Sequence, residues 1–152
     1  WREEQSLGAT GSLLQAVQDL SFEDDLLVLA GDNYFEFSIP RFLGPYNGKN
    51  TLIAVHDTGN RDDATQFGVV TVEGSKVTSF EEKPSQPKSS LIATGCYVFP
   101  ARIFPLLEKY CASDGRDNLG DFIEYLVNED EVHAWSFQET WFDMGNEFDP
   151  SA

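Results

Sequence analysis

Two short, mainly apolar runs, Leu26–Ala30 and Thr51–Val55, constrain the fold of this chain more than any other feature. Neither run alternates apolar with polar residues, so each is typical of a strand covered on both faces, as in a parallel sheet between helices. The segment that opens at Gly8 has its apolar residues at helical spacing, from Leu13 to Leu20. A chain in which such strands and helices alternate is expected to form an α/β sheet.

The rest of the sequence continues this alternation. Two strand-like runs on either side of a glycine turn predict a hairpin, Gly68–Val72 followed by Lys76–Phe80. The segments after it predict a strand, two helices and two further strands: Leu91–Phe99, Ala101–Tyr110, Leu119–Asn128, Val132–Phe137 and Thr140–Asp143. The 152 residues are enough to bury a core, and we expect a single domain over residues 1–152.

The charge balance excludes some classes of partner. The chain has 26 acidic against 10 basic residues, a net charge of −16, and this charge repels nucleic acid and anionic membrane surfaces. An anionic substrate would need a metal ion, a lysine or backbone N–H groups to receive it. Excess carboxylate is also what a protein in concentrated salt would carry, with an ordinary acidic protein as the alternative.

Targeting signals and thiols point to a compartment. The sequence shows no secretory signal and no apolar run long enough to span a bilayer. Cys96 and Cys111 lie in different predicted elements without metal-ligand spacing, so we expect free thiols in a reducing environment. Together these features predict a cytoplasmic protein.

Two aspartates directly follow apolar strands. Asp32 comes after Leu26–Ala30 and a glycine, and Asp143 comes after Trp141 and Phe142. Ligands bind outside the carboxyl ends of strands in open α/β sheets, so both are candidates to hold a divalent cation, although Asp32 also fits an ordinary turn. If both strands end on one edge of a sheet, the two like charges favour a bound Mg²⁺ between them.

Four further features carry chemistry, each with a plainer alternative. Lys83 is placed to hold a phosphate, or is a solvated lysine neutralised by its acidic neighbours. Glu82 could accept hydrogen bonds from sugar hydroxyls, or is a surface residue. The turn from Gly8 to Gly11 offers backbone N–H groups to a base or phosphate, but no Walker motif follows it. Trp141 could stack on a sugar ring, though aromatic residues in strands are more often core.

Six segments, taken in order, closely resemble the sugar nucleotidyltransferases, and most of all the glucose-1-phosphate thymidylyltransferases and their uridylyl relatives. They are Leu7–Leu13, Leu29–Asn33, Phe67–Val70, Phe80–Pro84, Ala93–Phe99 and Trp141–Gly145. Each motif alone is weak, but six in colinear order over essentially the whole chain are specific.

The resemblance implies a Rossmann-like mixed α/β sheet of the nucleotide-diphospho-sugar transferase type. It also implies a reaction in which a sugar-1-phosphate and a nucleoside triphosphate give an NDP-sugar and pyrophosphate with Mg²⁺ as cofactor. Glucose-1-phosphate with dTTP or UTP are the substrates that the nearest relatives suggest. The family often assembles into dimers or tetramers, so a homo-oligomer is possible.

The resemblance also implies roles for individual residues. Asp32 and Asp143 resemble the Mg²⁺ ligands, and Lys83 resembles the lysine that holds the sugar phosphate. The residues that would bind the nucleobase are Gln5, Gly8 and Gly11. The residues that would contact the sugar are Asn33, Gly68, Glu82 and Gly95.

The sequence departs from the family pattern in two places. The family opens with a Gly-rich signature containing Gly-Thr-Arg, which binds the triphosphate and forms the first strand, and no such segment is present in these residues. Asn146 stands where threonine or aspartate is commoner. We therefore expect a sheet without that strand and loop, the C-terminal part of a nucleotidyltransferase core, inactive by itself. The alternatives are a non-catalytic sugar-nucleotide binding or regulatory module and, more weakly, a metal-dependent glycosyltransferase.

Overall fold

A six-stranded sheet and a separate two-stranded ribbon form the β structure of the chain. The computed structural model describes residues 7–113 and 118–145. Its strands are β1 (Leu26–Leu29), β2 (Asn33–Phe35), β3 (Thr51–Asp57), β4 (Gly68–Glu73), β5 (Lys76–Glu82), β6 (Leu91–Phe99), β7 (Val132–Phe137) and β8 (Trp141–Asp143). The helices are α1 (Gly8–Asp19), α2 (Ile39–Leu43), α3 (Phe104–Ala112) and α4 (Leu119–Glu129), with short 3₁₀ helices at Asp62–Gln66 and Ala101–Ile103.

The main sheet is mixed, as the family resemblance predicts. Its strand order is β1-β6-β3-β7-β5-β4, with a further pairing of β4 to β6. The central strands β3 and β7 are parallel, from Thr51 opposite Val132 to His56 opposite Phe137. All other neighbours in the sheet are antiparallel. The predicted hairpin is present as β4 and β5.

Helices α1, α3 and α4 cover one face of this sheet. The buried core there combines strand residues such as Ile53 and Phe99 with helix residues such as Leu107 and Phe122. Helix α4 begins at the N-cap Asn118, whose side-chain oxygen accepts a hydrogen bond from the Asp121 N–H at 2.7 Å. Burying each such large apolar side chain contributes about 1.5–3 kcal/mol, so this face supplies most of the stability of the fold.

A second buried cluster lies on the other face of the sheet and carries the ribbon. Phe37 is its centre, with ring centroids 4.3 Å from Phe35 and 4.4 Å from Phe137. Phe42 of α2 is completely buried in the same cluster. The ribbon is therefore attached to the main sheet through aromatic packing.

Strand β1 differs from the prediction of a strand covered on both faces. Leu27 is 39% and Leu29 is 45% exposed. Among the described residues β1 pairs with β6 alone, and this pairing is antiparallel, so the expected parallel neighbour is wrong for this strand. None of the helices in the described ranges is both long enough and apolar enough to cross a membrane.

Candidate active site

A cavity of about 420 Å³ opens where β1, β5, β6 and the ribbon meet. Seven of the ten predicted site residues line it: Asp32, Asn33, Gly68, Glu82, Lys83, Gly95 and Asp143. Gly8 and Gly11 belong to the first turn of α1 and do not line this cavity, although Ala9 between them does. Gln5 lies outside the described residues.

The ribbon brings the two aspartates together. Strands β2 and β8 pair antiparallel, with Asn33 directly opposite Asp143. Asp32 immediately precedes β2, and its carbonyl oxygen accepts a hydrogen bond from the Met144 N–H at 2.7 Å. The convergence therefore arises from a ribbon outside the main sheet, and not from two strands that end on one edge of the same sheet.

The two carboxylates face each other across Gly145. Asp32 Oδ2 and Asp143 Oδ1 each lie 3.1 Å from the point that a Cβ at Gly145 would take, so they are less than twice that distance apart. The Gly145 N–H donates to Asp143 Oδ1 at 2.8 Å, and the Asn33 amide donates to Asp32 Oδ1 at 2.8 Å. A side chain at Gly145 would therefore crowd both acids.

This donor set fits Mg²⁺. In the described part of the chain no group of three or more His, Cys, Asp or Glu side chains could hold a metal ion, so the carboxylates that the described residues bring together here are Asp32 and Asp143. Mg²⁺ is usually held by one or two carboxylates, with water and substrate phosphates completing its shell. The chemistry of Asp32 and Asp143 matches that pattern better than a closed protein cage.

Gly95 allows the ribbon to lie against β6. Its φ of +76° is in the left-handed region, which favours glycine. A Cβ at Gly95 would come within 2.8 Å of Ala30 Cβ and 3.1 Å of Asn33 Nδ2. Any side chain there would push Asn33 away from its neighbours.

Glu82 is held between two glycines on the opposite side of the cavity. Its carboxylate occupies the space that a Cβ would need at Gly120 in the first turn of α4, where Oε2 lies 2.0 Å away. At Gly68 in β4 the Phe80 ring fills that space first, at 2.3 Å, and Glu82 Oε2 lies 3.1 Å away. Burial raises the pKa of the Glu82 carboxyl, and the negative charges of Asp121 and Glu124 raise it further, while Lys83 opposes the rise. The site therefore holds a carboxylate in a partly desolvated position.

Lys83 is an exposed side chain on the rim, next to Glu82. Its φ of +47° is left-handed, a conformation that costs a non-glycine residue about 1 kcal/mol or more. The backbone N–H of Lys83 donates to the Phe67 carbonyl at 3.0 Å, which holds this turn beside Gly68. Glu81, a suggested partner for Lys83, pairs with Lys88 at 2.6 Å.

Tyr97 and Gly120 are among the cavity residues that were not predicted from the sequence. Tyr97 is only 6% exposed and lines the cavity, where burial raises its pKa and the charges of Glu82 and Asp32 add to the rise. Its position two residues after Gly95 on β6 was a usable signal, since alternate strand residues share a face. Gly120 had no such signal, because its place depends on how α4 docks.

The sequence profile described as nucleotidyl transferase matches residues 1–149. The chain is 32% identical over 149 residues to the bifunctional protein GlmU of Methanocaldococcus jannaschii, covering 97% of this chain and 35% of that protein. It is 32% identical over 141 residues to a glucose-1-phosphate adenylyltransferase of Clostridioides difficile, covering 84% of this chain and 36% of that protein.

Among solved structures, the UTP-bound UGPase of Acinetobacter baumannii superposes with a TM-score of 0.75 at 28% identity. The match covers 94% of this chain and 53% of the other. The mixed α/β fold is therefore that of nucleotide-diphospho-sugar transferases. The chain spans about a third of the length of the two curated relatives, 35% and 36%.

Proposed function

Since this chain belongs to the nucleotidyl transferase family, we propose that it forms the sugar-phosphate side of the active site of a sugar-1-phosphate nucleotidyltransferase. The reaction joins a sugar-1-phosphate to a nucleoside triphosphate and releases pyrophosphate with Mg²⁺. Glucose-1-phosphate with dTTP or UTP are the substrates we propose, on the family resemblance. The partners are these small anions, and the compartment is the cytoplasm.

The observation that carries this proposal is the grouping of Asp32, Asp143, Lys83 and Glu82 around one cavity. Lys83 is the one basic residue among the described residues that line it. A chain with a net charge of −16 would otherwise repel a sugar phosphate. The proposed metal and Lys83 supply the local positive charge that such a substrate needs.

The mechanism requires positioning and charge neutralisation more than a side-chain nucleophile. Asp32 and Asp143 would hold Mg²⁺, which neutralises phosphate charge when bound. Lys83 holds the sugar phosphate so that one of its oxygens can attack the α-phosphorus as the bond to pyrophosphate breaks. Ionised Glu82 accepts hydrogen bonds from the sugar hydroxyls.

The remaining predicted contacts belong to the same proposal. Gly68 offers a backbone contact to the sugar, and Asn33 and Gly95 lie on the sugar side of the cavity. Gly8 and Gly11, with Gln5, are proposed to lie against the nucleobase. Assembly into a homo-oligomer stays a prediction of the family resemblance.

The test is pyrophosphate release from the whole protein incubated with glucose-1-phosphate, dTTP or UTP, and MgCl₂. We expect Asp32→Asn to abolish turnover without loss of folding. Asp24→Asn removes the same charge at an exposed position away from the cavity and should keep the parent rate. An undiminished rate in Asp32→Asn would exclude Asp32 from the mechanism. Binding of a nucleotide sugar without any pyrophosphate release would favour the non-catalytic module.

The space at Gly145 gives a second test of the metal site. An alanine there would place its Cβ 3.1 Å from both carboxylate oxygens, so Gly145→Ala should weaken Mg²⁺ binding several-fold in a calorimetric titration. Gly31→Ala is the matched control, since a Cβ at Gly31 meets nothing within 4 Å. Equal Mg²⁺ affinity in both variants would contradict the assignment.

A further inference from the structure

A chain of two hydrogen bonds leads from Trp141 to Asp32. The Trp141 indole N–H donates to Asn33 Oδ1 at 3.0 Å. The Asn33 amide nitrogen in turn donates to Asp32 Oδ1 at 2.8 Å. Trp141 also lines the cavity, but by hydrogen bonds it reaches the Asp32 carboxylate through Asn33.

The direction of these two hydrogen bonds is fixed by which groups can donate. An indole N–H can only donate, so the end of the Asn33 amide that faces Trp141 must be the oxygen. The NH₂ end is then turned toward Asp32, where it donates to the carboxylate. The opposite orientation would set the amide oxygen against a carboxylate oxygen and lose both hydrogen bonds. Trp141 therefore selects which end of the Asn33 amide Asp32 meets.

Trp141 is itself held firmly. It lies opposite Phe35 in the ribbon, and its ring meets Phe67 edge-on at 5.4 Å and lies 6.0 Å from the His56 ring. On the other side, Gly95 leaves just enough room for the Asn33 amide, since a Cβ there would come within 3.1 Å of Nδ2. The Asn33 amide is thus confined between a packed indole and a glycine.

We propose that Trp141 is a positioning residue for the metal site and that it acts through Asn33. With Asp32 Oδ1 engaged by the amide, Oδ2 is the oxygen that lies toward Gly145 and Asp143. The hydrogen-bond chain thus presets the carboxylate orientation that a divalent cation between the two aspartates requires. The inference rests on the proposed function in one respect, that Asp32 is a metal ligand.

The test is a double-mutant cycle on Mg²⁺ affinity, measured by calorimetry without substrates. Trp141→Phe keeps an aromatic ring in the packed position and removes the N–H, and Asn33→Leu keeps the amide's shape without its hydrogen bonds. Because residues that orient metal ligands typically change affinity 10- to 100-fold, each single variant should raise the Mg²⁺ Kd about 10-fold. The double variant should bind Mg²⁺ no more weakly than Asn33→Leu alone, since both substitutions break the same pair of linked hydrogen bonds.

Trp135→Phe is the matched control, because the Trp135 ring packs on Phe37, Phe42 and Phe137 and does not line the cavity. It should leave the Mg²⁺ Kd unchanged. The parent protein adds a spectroscopic readout: the indole N–H resonance that is missing in Trp141→Phe should shift when MgCl₂ is added. If Trp141→Phe does not fold, the Trp141 resonance is identified as the indole N–H signal that moves in Asn33→Leu and is retained in Trp135→Phe, and its response to MgCl₂ decides the matter.

The outcomes separate this inference from the proposed function. An unchanged Mg²⁺ Kd in Trp141→Phe, or effects that add in the double variant, would overturn the role of Trp141, while loss of turnover in Asp32→Asn would leave the proposed function standing. An unchanged Mg²⁺ Kd in Asp32→Asn would overturn both the positioning role and the metal site on which it depends.

Discussion

Glu82 shows at the scale of a single residue how function and stability oppose each other in this site. Its carboxylate sits against Gly68 and Gly120, and burial raises its pKa above the ordinary glutamate value of 4.5. The ionised form that would accept hydrogen bonds from sugar hydroxyls is therefore the form that folding disfavours. Such conflicts are common where a binding site needs a charge in a partly buried place.

This conflict predicts a pH-dependent gain in stability for Glu82→Gln. A carboxyl whose pKa is raised by folding stabilises the protein below its unfolded pKa of 4.5, and that stability is lost as the pH rises through the folded value. The variant should therefore unfold at a higher temperature than the parent at pH 7, with the difference closing below pH 4.5. Thermal unfolding followed by circular dichroism across this pH range measures the effect.

Glu73→Gln is the matched control for Glu82→Gln, since Glu73 is an exposed glutamate at the end of β4. Removing its charge should change the unfolding temperature much less. If Glu82→Gln unfolds at a lower temperature than the parent at pH 7, a lost native hydrogen bond outweighs the burial of the charge.

At the scale of elements, the two aspartates depend on a ribbon of two three-residue strands, β2 and β8. A two-stranded ribbon is marginal by itself, so this one relies on aromatic packing. Tyr34 and Phe142 stack across it at 4.8 Å, and Phe35 stacks on Phe37 at 4.3 Å. The ribbon that carries the acids is therefore held by aromatic side chains that lie outside the cavity.

The sequence predicted the longer elements and one ribbon strand, Thr140–Asp143, but not its partner β2. Strands such as Leu91–Phe99 and the 68–80 hairpin have enough residues to show a pattern, and both are present. Strand β2 has three residues directly after a turn, too few for any period to be visible. The segment at Ala101–Tyr110 was predicted as one helix, and it is a 3₁₀ turn followed by α3, which carries a proline in its first turn.

The cap of helix α4 is the element-scale prediction. Asn118→Ala removes the hydrogen bond from the Asp121 N–H at 2.7 Å, and loss of such a cap costs about 1 kcal/mol of stability. Urea unfolding should report this decrease. Asn118→Asp retains an acceptor oxygen and should keep most of the parent stability. Equal losses in the two variants would show that the cap oxygen is not responsible.

At the scale of the whole molecule, the net charge of −16 dominates. Three of the described cations form surface pairs, Lys88 with Glu81, Arg102 with Asp130 and Arg41 with Glu139. Exposed pairs of this kind contribute only about 0–1 kcal/mol each. Most carboxylates therefore repel one another without local compensation, a property that follows from composition and needs no structure.

Screening of this repulsion predicts that KCl stabilises the fold. The Debye length falls from about 10 Å at 0.1 M salt to about 3 Å at 1 M, so the unfolding temperature should rise over this range. The rise should shrink near pH 4, where more carboxylates are protonated. An unfolding temperature that stays constant up to molar KCl at pH 7 would show that self-repulsion is unimportant, and would end the hypothesis of a high-salt protein.

The edge of β1 that faces away from β6 adds a second consequence of salt, which is association between molecules. Ala30 N–H bonds to the Gly95 carbonyl, and because antiparallel bonds alternate along a strand, the backbone groups of Leu27 and Leu29 are directed away from β6. A leucine-bearing edge of this kind is a template on which another strand can grow. KCl that raises the unfolding temperature of each molecule also screens the electrostatic repulsion between separate molecules. The chain by itself should therefore unfold more easily at low ionic strength and aggregate more readily at high ionic strength.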